Sequence, residues 1–238
     1  MRALLLAAGF GTRLRPLTDH TPKCLIPIHG EPLLGLWLDM LLPAGIERVL
    51  VNTHYLADAV RRFVAGSKWR AAVELVHEET LLGTGGTVLR NRAFFGAGPF
   101  LVGHADNLTR FDVAAFLDAH ARRPAGVEIT MMTFETDRPE TCGIVELDDR
   151  GVVTGFHEKS PNPPGNRANA AVYIVEPGVL DFLASLGRDV IDLSTEVLPH
   201  YLGRMITFHN GDYHRDIGTP ESLAAAHREF RPRVSLPR

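Results

Sequence analysis

The apolar run RALLLAA at residues 2–8 breaks without a spacer into Gly9-Phe10-Gly11, and then into the cations Arg13, Arg15 and Lys23. Few folds accept that order. A nearly continuous apolar run fits a strand buried on both faces of a parallel sheet. Glycines directly after it let the backbone turn sharply and approach a ligand closely. Successive amide N–H groups in such a turn can form a concave nest for anions. A phosphate chain suits this loop, with the arginines and the lysine adding fixed positive charge. A bare Gly-x-Gly carries little weight, but the whole string from Ala7 to Lys23, AAGFGTRLRPLTDHTPK, is far more specific.

The pattern that follows keeps to the same architecture. Residues 32–44 place Leu34, Leu38, Leu41 and Leu42 at helical spacing. Residues 47–53 predict a second strand, 56–64 a helix with Val60, Phe63 and Val64 inward, and 72–77 a third strand. Residues 83–92 open on glycines and become a helix, 99–105 form a fourth strand, and Asp112 caps the helix that carries Val113, Phe116 and Leu117. Strands alternating with helices imply a doubly wound sheet. Its ligands belong beyond the carboxyl ends of the strands, where both the first loop and Asp106 fall.

After residue 124 the pattern changes. Residues 128–134, 143–147, 152–157 and 170–175 are strand-like with few helices between them, and Asp148-Asp149-Arg150-Gly151 reads as a hairpin turn. Residues 160–167 form a proline-rich loop, 178–185 and 192–202 read as helices, and 205–209 as another strand. Thr219-Pro220-Glu221 opens the last helix with an N-cap, a proline at the first helical position and an acid in the first turn. The tail after Phe230 is expected to fray. The fold class predicted is α/β, a Rossmann-like doubly wound mixed sheet. Residues 1–238 are expected to form one domain: a nucleotide-binding half over 1–124, and a smaller α+β sugar-phosphate half over 125–230 that shares the sheet.

Composition narrows the partners. A net charge of −3 gives no general pull towards nucleic acid. The 2 cysteines, Cys24 and Cys142, are too few for a disulfide framework, fit a reducing compartment and show no metal-type spacing. The apolar start is at the lower limit for a secretion signal and runs straight into the glycine loop, so it reads as a strand. No stretch reaches the roughly 18 apolar residues of a membrane span. A cytoplasmic protein without membrane or nucleic-acid partners is expected. Positive charge is carried almost wholly by arginine, and the lysines are Lys23, Lys68 and Lys159. A lysine in such a chain suggests a need for a compact point charge on a flexible stem.

GFGTRLRPLT followed by TPKCLIPI resembles the signature of the sugar-1-phosphate nucleotidyltransferases, or nucleotide-sugar pyrophosphorylases, and later motifs extend the resemblance over most of the chain. Among its members the sequence is most similar to small bacterial guanylyltransferases acting on mannose-1-phosphate or D-glycero-D-manno-heptose-1-phosphate. The resemblance implies a nucleotide site at Ala7, Ala8, Gly9, Gly11, Thr12 and Arg13, with Arg13 on the leaving phosphates and Lys23 at the α-phosphate; these two are the candidate catalytic residues. It implies a base and ribose platform at Glu79, Gly83, Thr84 and Gly85, within ETLLGTGG. Glu78 or Glu79 could accept hydrogen bonds from a base that presents N–H donors, as guanine does.

Asp106 follows the strand PFLVGHA, where a carboxylate suits Mg²⁺ held with substrate phosphates. The resemblance makes Asp216, in DIGTPE, the second carboxylate for Mg²⁺, with Mn²⁺ able to substitute. The family has Gly-Asp where this chain has Ala105-Asp106, and the acid is kept. Glu158 is implied to hold sugar hydroxyls, Lys159 the sugar phosphate, and Gly143 and Asn169 the sugar itself. Here the chain departs in detail: Ser160 replaces a common proline, Cys142 a common tyrosine, and Ala171 the glycine of Asn-Ala-Gly. The alanine slightly narrows that wall.

The activity implied is transfer of a nucleoside monophosphate, with GTP the preferred donor, to heptose-1-phosphate or mannose-1-phosphate, releasing pyrophosphate and making a nucleotide sugar for surface polysaccharide. UTP-dependent transfer to N-acetylmuramate-1-phosphate is an alternative. A non-catalytic nucleotide-sugar-binding regulatory subunit is a reading of another class, and is opposed by the presence of Arg13, Lys23, Asp106 and Asp216 together. A polyol or amino-alcohol phosphate acceptor is a third, opposed by Glu158, Lys159 and Asn169. The sequence carries no hexapeptide repeat, so no attached acyltransferase is expected. Relatives are often dimers, which makes a homodimer a state the resemblance implies.

Overall fold

A computed structural model describes residues 1–231; residues 232–238, most of the tail expected to fray, lie outside the described residues. Strand β1 (Arg2–Leu6) is buried on both faces, as its unbroken apolar run requires. A small hairpin, β2 (Pro27–Ile28) and β3 (Glu31–Pro32), leads into α1 (Leu33–Leu41). Pro43 converts the end of that helix to a tighter turn over Leu42–Ala44. There follow β4 (Arg48–Thr53), α2 (Ala57–Gly66), β5 (Val73–His77), α3 (Gly83–Arg90), α4 (Arg92–Phe95) and β6 (Phe100–His104). Strands β6, β1, β4 and β5 lie side by side and parallel. The odd residues Ala3 and Leu5 enter one core with α1; Leu4 and Leu6 enter a second core on the opposite face.

Next come β7 (Asn107–Arg110), α5 (Val113–Ala121), β8 (Ile129–Glu135), β9 (Gly143–Leu147), β10 (Val153–Glu158) and β11 (Arg167–Val175). Asp112 caps α5 by accepting from Ala115 N at 2.9 Å, as its position predicts. Strand β11 continues the large sheet antiparallel to β6, and the order is β10-β9-β11-β6-β1-β4-β5, with β8 on β11. The sheet is therefore mixed: a parallel core extended by antiparallel strands.

The chain closes with α6 (Gly178–Ser185), β12 (Met205–His209), β13 (Tyr213–Asp216) and α7 (Pro220–Glu229). Strand β12 pairs parallel to β8, and β13 pairs with β7 as a separate two-stranded ribbon. Thr219 Oγ1 caps α7 from 3.2 Å. The helix expected over 192–202 is present in two irregular pieces, a wide π-type turn over Leu193–Val197 continued by a tighter 3-10 turn over Leu198–Tyr201 that contains Pro199. Among the described residues, no helix is long and apolar enough to cross a membrane.

Candidate active site

The carboxyl end of the parallel strands opens into a cleft of about 440 Å³. Its walls include Ala7, Ala8, Gly9, Gly11, Thr12, Arg13, Lys23, Gly83, Thr84 and Asp106, all singled out by the sequence. The two glycines of the first loop differ. Gly11 has φ +63°, and a methyl there would crowd Thr18 Cγ2 at 3.0 Å, so the fold itself requires glycine. Gly9 has open space around it and no left-handed backbone. Ala7 N–H donates to Asn52 Oδ1 at 2.7 Å, which removes it from any anion nest and leaves that role to amides further along the loop.

Two carboxylates and two cations meet at one edge of this cleft. Lys23 Nζ lies 3.0 Å from Asp106 Oδ2 and 2.8 Å from Asp216 Oδ1, and Arg13 reaches Asp216 Oδ2 at 3.1 Å. The ribbon of β7 and β13 makes the meeting possible, because it pairs Asn107 with Asp216 across a large gap in sequence. Lys23 is buried. Burial works against its charge, but the two carboxylates outweigh it and raise its pKa above the usual lysine value. Burial likewise works against ionised Asp216, and Lys23 and Arg13 reverse this and lower its pKa. The four side chains are thus a charged, internally neutralised cluster. Arg15 does not join it; its guanidinium pairs with Asp19 at 3.2 Å.

His104 also faces the cleft, and burial lowers its pKa despite nearby Asp106, so it stands as a neutral imidazole. Burial pushes the Cys24 thiol up to about 12, which leaves it protonated and unreactive. Among the described residues no three His, Cys, Asp or Glu side chains gather around a common point. The donor set available to a metal is the carboxylate pair.

The second motif is placed differently from its expected use. Glu79 is exposed and outside the cleft wall; Glu78 is in the wall, buried. The Glu78 carboxylate already accepts from Thr87 Oγ1 at 2.7 Å, Asn52 Nδ2 at 3.0 Å and Leu82 N at 3.3 Å. Glu78 Oε1 is thus engaged inside the protein, and Oε2 takes the single contact from Leu82 N. The glycines have an internal reason as well. Gly83 and Thr84 line the cleft, whereas Gly85 and Gly86 face the segment that precedes the wide turn. Gly85 N and Gly86 N donate to Ile191 O at 2.9 and 3.2 Å, and a methyl on Gly83 would come within 2.5 Å of that oxygen. Sequence reading missed Asn52, Thr87 and the 189–193 segment, because their partners lie in other motifs and no local pattern marks them.

The residues implied for the acceptor form a second group. Glu158 pairs with Gly143 across β10 and β9, and a methyl on Gly143 would sit 2.7 Å from a Glu158 carboxylate oxygen. Lys159 has φ +47°, donates its N–H to Cys142 O at 2.9 Å and leaves its side chain exposed, 3.4 Å from Glu158. Asn169 sits on β11, next to Ala168, which pairs with Ile144 of β9.

The family described as nucleotidyl transferase matches residues 2–232. The chain belongs to that family. It is 34% identical over 226 residues to a mannose-1-phosphate guanylyltransferase of Mycobacterium tuberculosis, covering 93% of this chain and 62% of the relative. It is 34% identical over 230 residues to the catalytic subunit beta of the Drosophila melanogaster mannose-1-phosphate guanylyltransferase, covering 93% and 60%. The chain thus spans about three fifths of the length of these relatives. A solved structure of HddC from Yersinia pseudotuberculosis complexed with GMP-PN is similar in fold, with a TM-score of 0.80 at 24% identity, covering 97% of this chain and 99% of that one.

Proposed function

We propose that this chain transfers a guanylyl group from GTP to a manno-configured sugar-1-phosphate, with mannose-1-phosphate or D-glycero-α-D-manno-heptose-1-phosphate as acceptor. The observation that carries the reaction class is the convergence of Arg13, Lys23, Asp106 and Asp216 at the edge of a cleft floored by a glycine loop. The donor reading rests on the guanylyltransferase relatives and the GMP-PN complex of a similar fold. It draws nothing from Glu78 or Glu79.

In this reading an acceptor phosphate oxygen bonds to the α-phosphorus of the triphosphate, the bond from that phosphorus to the β-bridging oxygen breaks, and pyrophosphate leaves. The acceptor's phosphate has a second pKa of about 6, so it needs no general base. The protein's task is to bring two anions together and to stabilise the charge on the leaving group. Loop amides and Arg13 hold the triphosphate. Lys23 moves its charge from the carboxylates to the α-phosphate. Lys159 holds the acceptor phosphate, and Glu158 and Asn169 the sugar.

Two carboxylates that already share one ammonium ion present hard oxygen donors to a single point, which is the donor chemistry Mg²⁺ takes together with phosphates. Asp106 and Asp216 would hold Mg²⁺ or Mn²⁺. The metal would supply electrostatic screening between the two phosphate groups.

The test is pyrophosphate release with Mg²⁺, crossing GTP, UTP, dTTP and CTP with mannose-, heptose-, glucose- and N-acetylmuramate-1-phosphates. Release with GTP and a manno-sugar is expected, and Asp106→Asn should fold and lose most of it. A clear preference for UTP or dTTP would remove the guanylyl reading and keep the reaction class. Binding without release for every pair would favour a regulatory subunit.

A further inference from the structure

Strand β11 carries two extra residues at Asn169–Tyr173. Asn169 pairs with Thr133 of β8 and Tyr173 with Met131, so four steps on one strand oppose two on the other. A bulge of this kind re-aims side chains. At its centre Ala171 has φ +54°, a left-handed backbone that is unfavourable for a non-glycine residue. That turn brings Ala171 N–H back onto Asn169 Oδ1 at 2.9 Å. A backbone N–H can only donate, so the atom facing it is the amide oxygen, and the orientation of the Asn169 side chain is settled by the backbone. Asn169 Nδ2 then donates one hydrogen to Tyr173 Oη at 2.7 Å.

Tyr173 is 1% exposed, and burial raises its pKa, so the hydroxyl stays protonated. The Ser194 side chain lies close to that hydroxyl. Leu193, the neighbour of Ser194, donates its N–H to Thr84 Oγ1 at 2.7 Å, and Thr84 lines the nucleotide cleft. The tyrosine therefore stands between the acceptor group and the segment that braces the nucleotide wall.

We infer that Tyr173 is a positioning residue: its buried hydroxyl fixes the amide of Asn169 so that the second Nδ2 hydrogen is presented to an oxygen of the bound sugar phosphate. This rests on the proposed function, in which Asn169 belongs to the acceptor site. The bulge supplies the direction, the Ala171 N–H fixes which atom points where, and the hydroxyl stops the amide from swinging. Phenylalanine would fill the same volume.

The test compares wild type, Tyr173→Phe, Asn169→Ala and Ser194→Ala in GTP- and Mg²⁺-dependent pyrophosphate release with α-D-mannose-1-phosphate. Tyr173→Phe should raise the acceptor KM by about fivefold, the scale of one oriented hydrogen bond, with the GTP KM unchanged. Asn169→Ala should raise the acceptor KM at least as much, and Ser194→Ala should leave it near wild type. A raised acceptor KM in Asn169→Ala with none in Tyr173→Phe would overturn the inference. An unchanged KM in Asn169→Ala would instead remove Asn169 from the acceptor site, and the inference with it. The ligand-free protein gives a second readout that needs no turnover. The Asn169 side-chain amide, assigned by its loss in Asn169→Ala, should be protected from hydrogen exchange in wild type and lose that protection in Tyr173→Phe. Equal protection in both would overturn the inference even if mannose-1-phosphate is not turned over.

Discussion

Lys23 Nζ lies 2.8 Å from Asp216 Oδ1 while keeping Asp106 Oδ2 at 3.0 Å, so one ammonium occupies the point between the two acids proposed to hold a divalent cation. With Arg13 on the other oxygen of Asp216, the cluster is electrically balanced before any ligand arrives. A divalent cation alone would bring two positive charges against Lys23 and Arg13. A triphosphate alone would bring negative charge against two acids. The two together match the site.

It follows that Lys23 opposes metal binding in the absence of nucleotide. Lys23→Met should tighten Mn²⁺ binding to the nucleotide-free protein by about tenfold, within the usual range of site-to-site coupling. It should also lower kcat more than it raises the GTP KM, because the charge matters most as pyrophosphate departs. Mn²⁺ titration followed by electron paramagnetic resonance reads the first effect. Unchanged Mn²⁺ affinity would mean that the cation does not take the place of Lys23.

Gly9 and Gly86 separate two uses of glycine. A methyl on Gly9 meets nothing within 4 Å, whereas one on Gly86 would run into Asp189 O. Gly86→Ala should therefore destabilise the fold by about 2 kcal/mol, since a rigid backbone must move. Gly9→Ala should leave the urea midpoint at its wild-type value and raise the GTP KM, because only a ligand would find the methyl in its way. An unaltered GTP KM in Gly9→Ala would show that the triphosphate does not approach that part of the loop.

Much of this was legible because the motifs are short and self-contained. Apolar periodicity located β1, α1, β4 and β6, and the caps of α5 and α7 are local hydrogen bonds that Asp112 and Thr219 announce in sequence. Other features have no local signature. The ribbon of β7 and β13 joins residues about a hundred positions apart, and neither short strand has an apolar pattern long enough to stand out. The charge of Glu78 or Glu79 suggests a base partner, yet Glu78 Oε1 accepts from Asn52 on a neighbouring strand and from Thr87 on the next helix. The glycines of GTGG read as a ligand platform, while much of their crowding comes from residues 189–191. A sequence can show that a glycine needs space, but not what takes it.

Ala171 offers a direct test of backbone strain. Its φ of +54° is a conformation that glycine adopts freely. Ala171→Gly should stabilise the protein by up to about 1 kcal/mol, the relief of left-handed strain less the added freedom of the unfolded chain. Ala170→Gly, at a fully buried neighbour without that backbone, should destabilise instead. Urea denaturation of the two variants distinguishes the cases, and a destabilised Ala171→Gly would contradict the strain.

The pH dependence of stability follows from His120 on α5. The ring is 2% exposed; Nδ1 lies 2.8 Å from Thr130 Oγ1 and Nε2 2.9 Å from Glu176 Oε1. Burial lowers its pKa below 6.5, Arg123 adds to that, and Glu176 opposes without reversing it. The neutral ring donates Nε2–H to Glu176 and accepts from Thr130, and Arg123 shares the same Glu176 oxygen at 2.6 Å. Below pH 6.5 the unfolded chain takes a proton on this histidine that the folded chain resists. The folded state then binds fewer protons, so stability rises with pH there and falls as the solution is acidified through that value towards the folded pKa. Above 6.5 both states are neutral, and the contribution is fully present. His120→Gln should cost about 2 kcal/mol near neutrality, because Thr130 and Glu176 lose a shaped partner. The difference between wild type and variant should narrow as pH falls towards about 5, since only the wild type loses this contribution. Urea midpoints for both proteins across that range provide the check: a constant difference would mean that the folded protein accepts the proton on His120 as readily as the unfolded chain does.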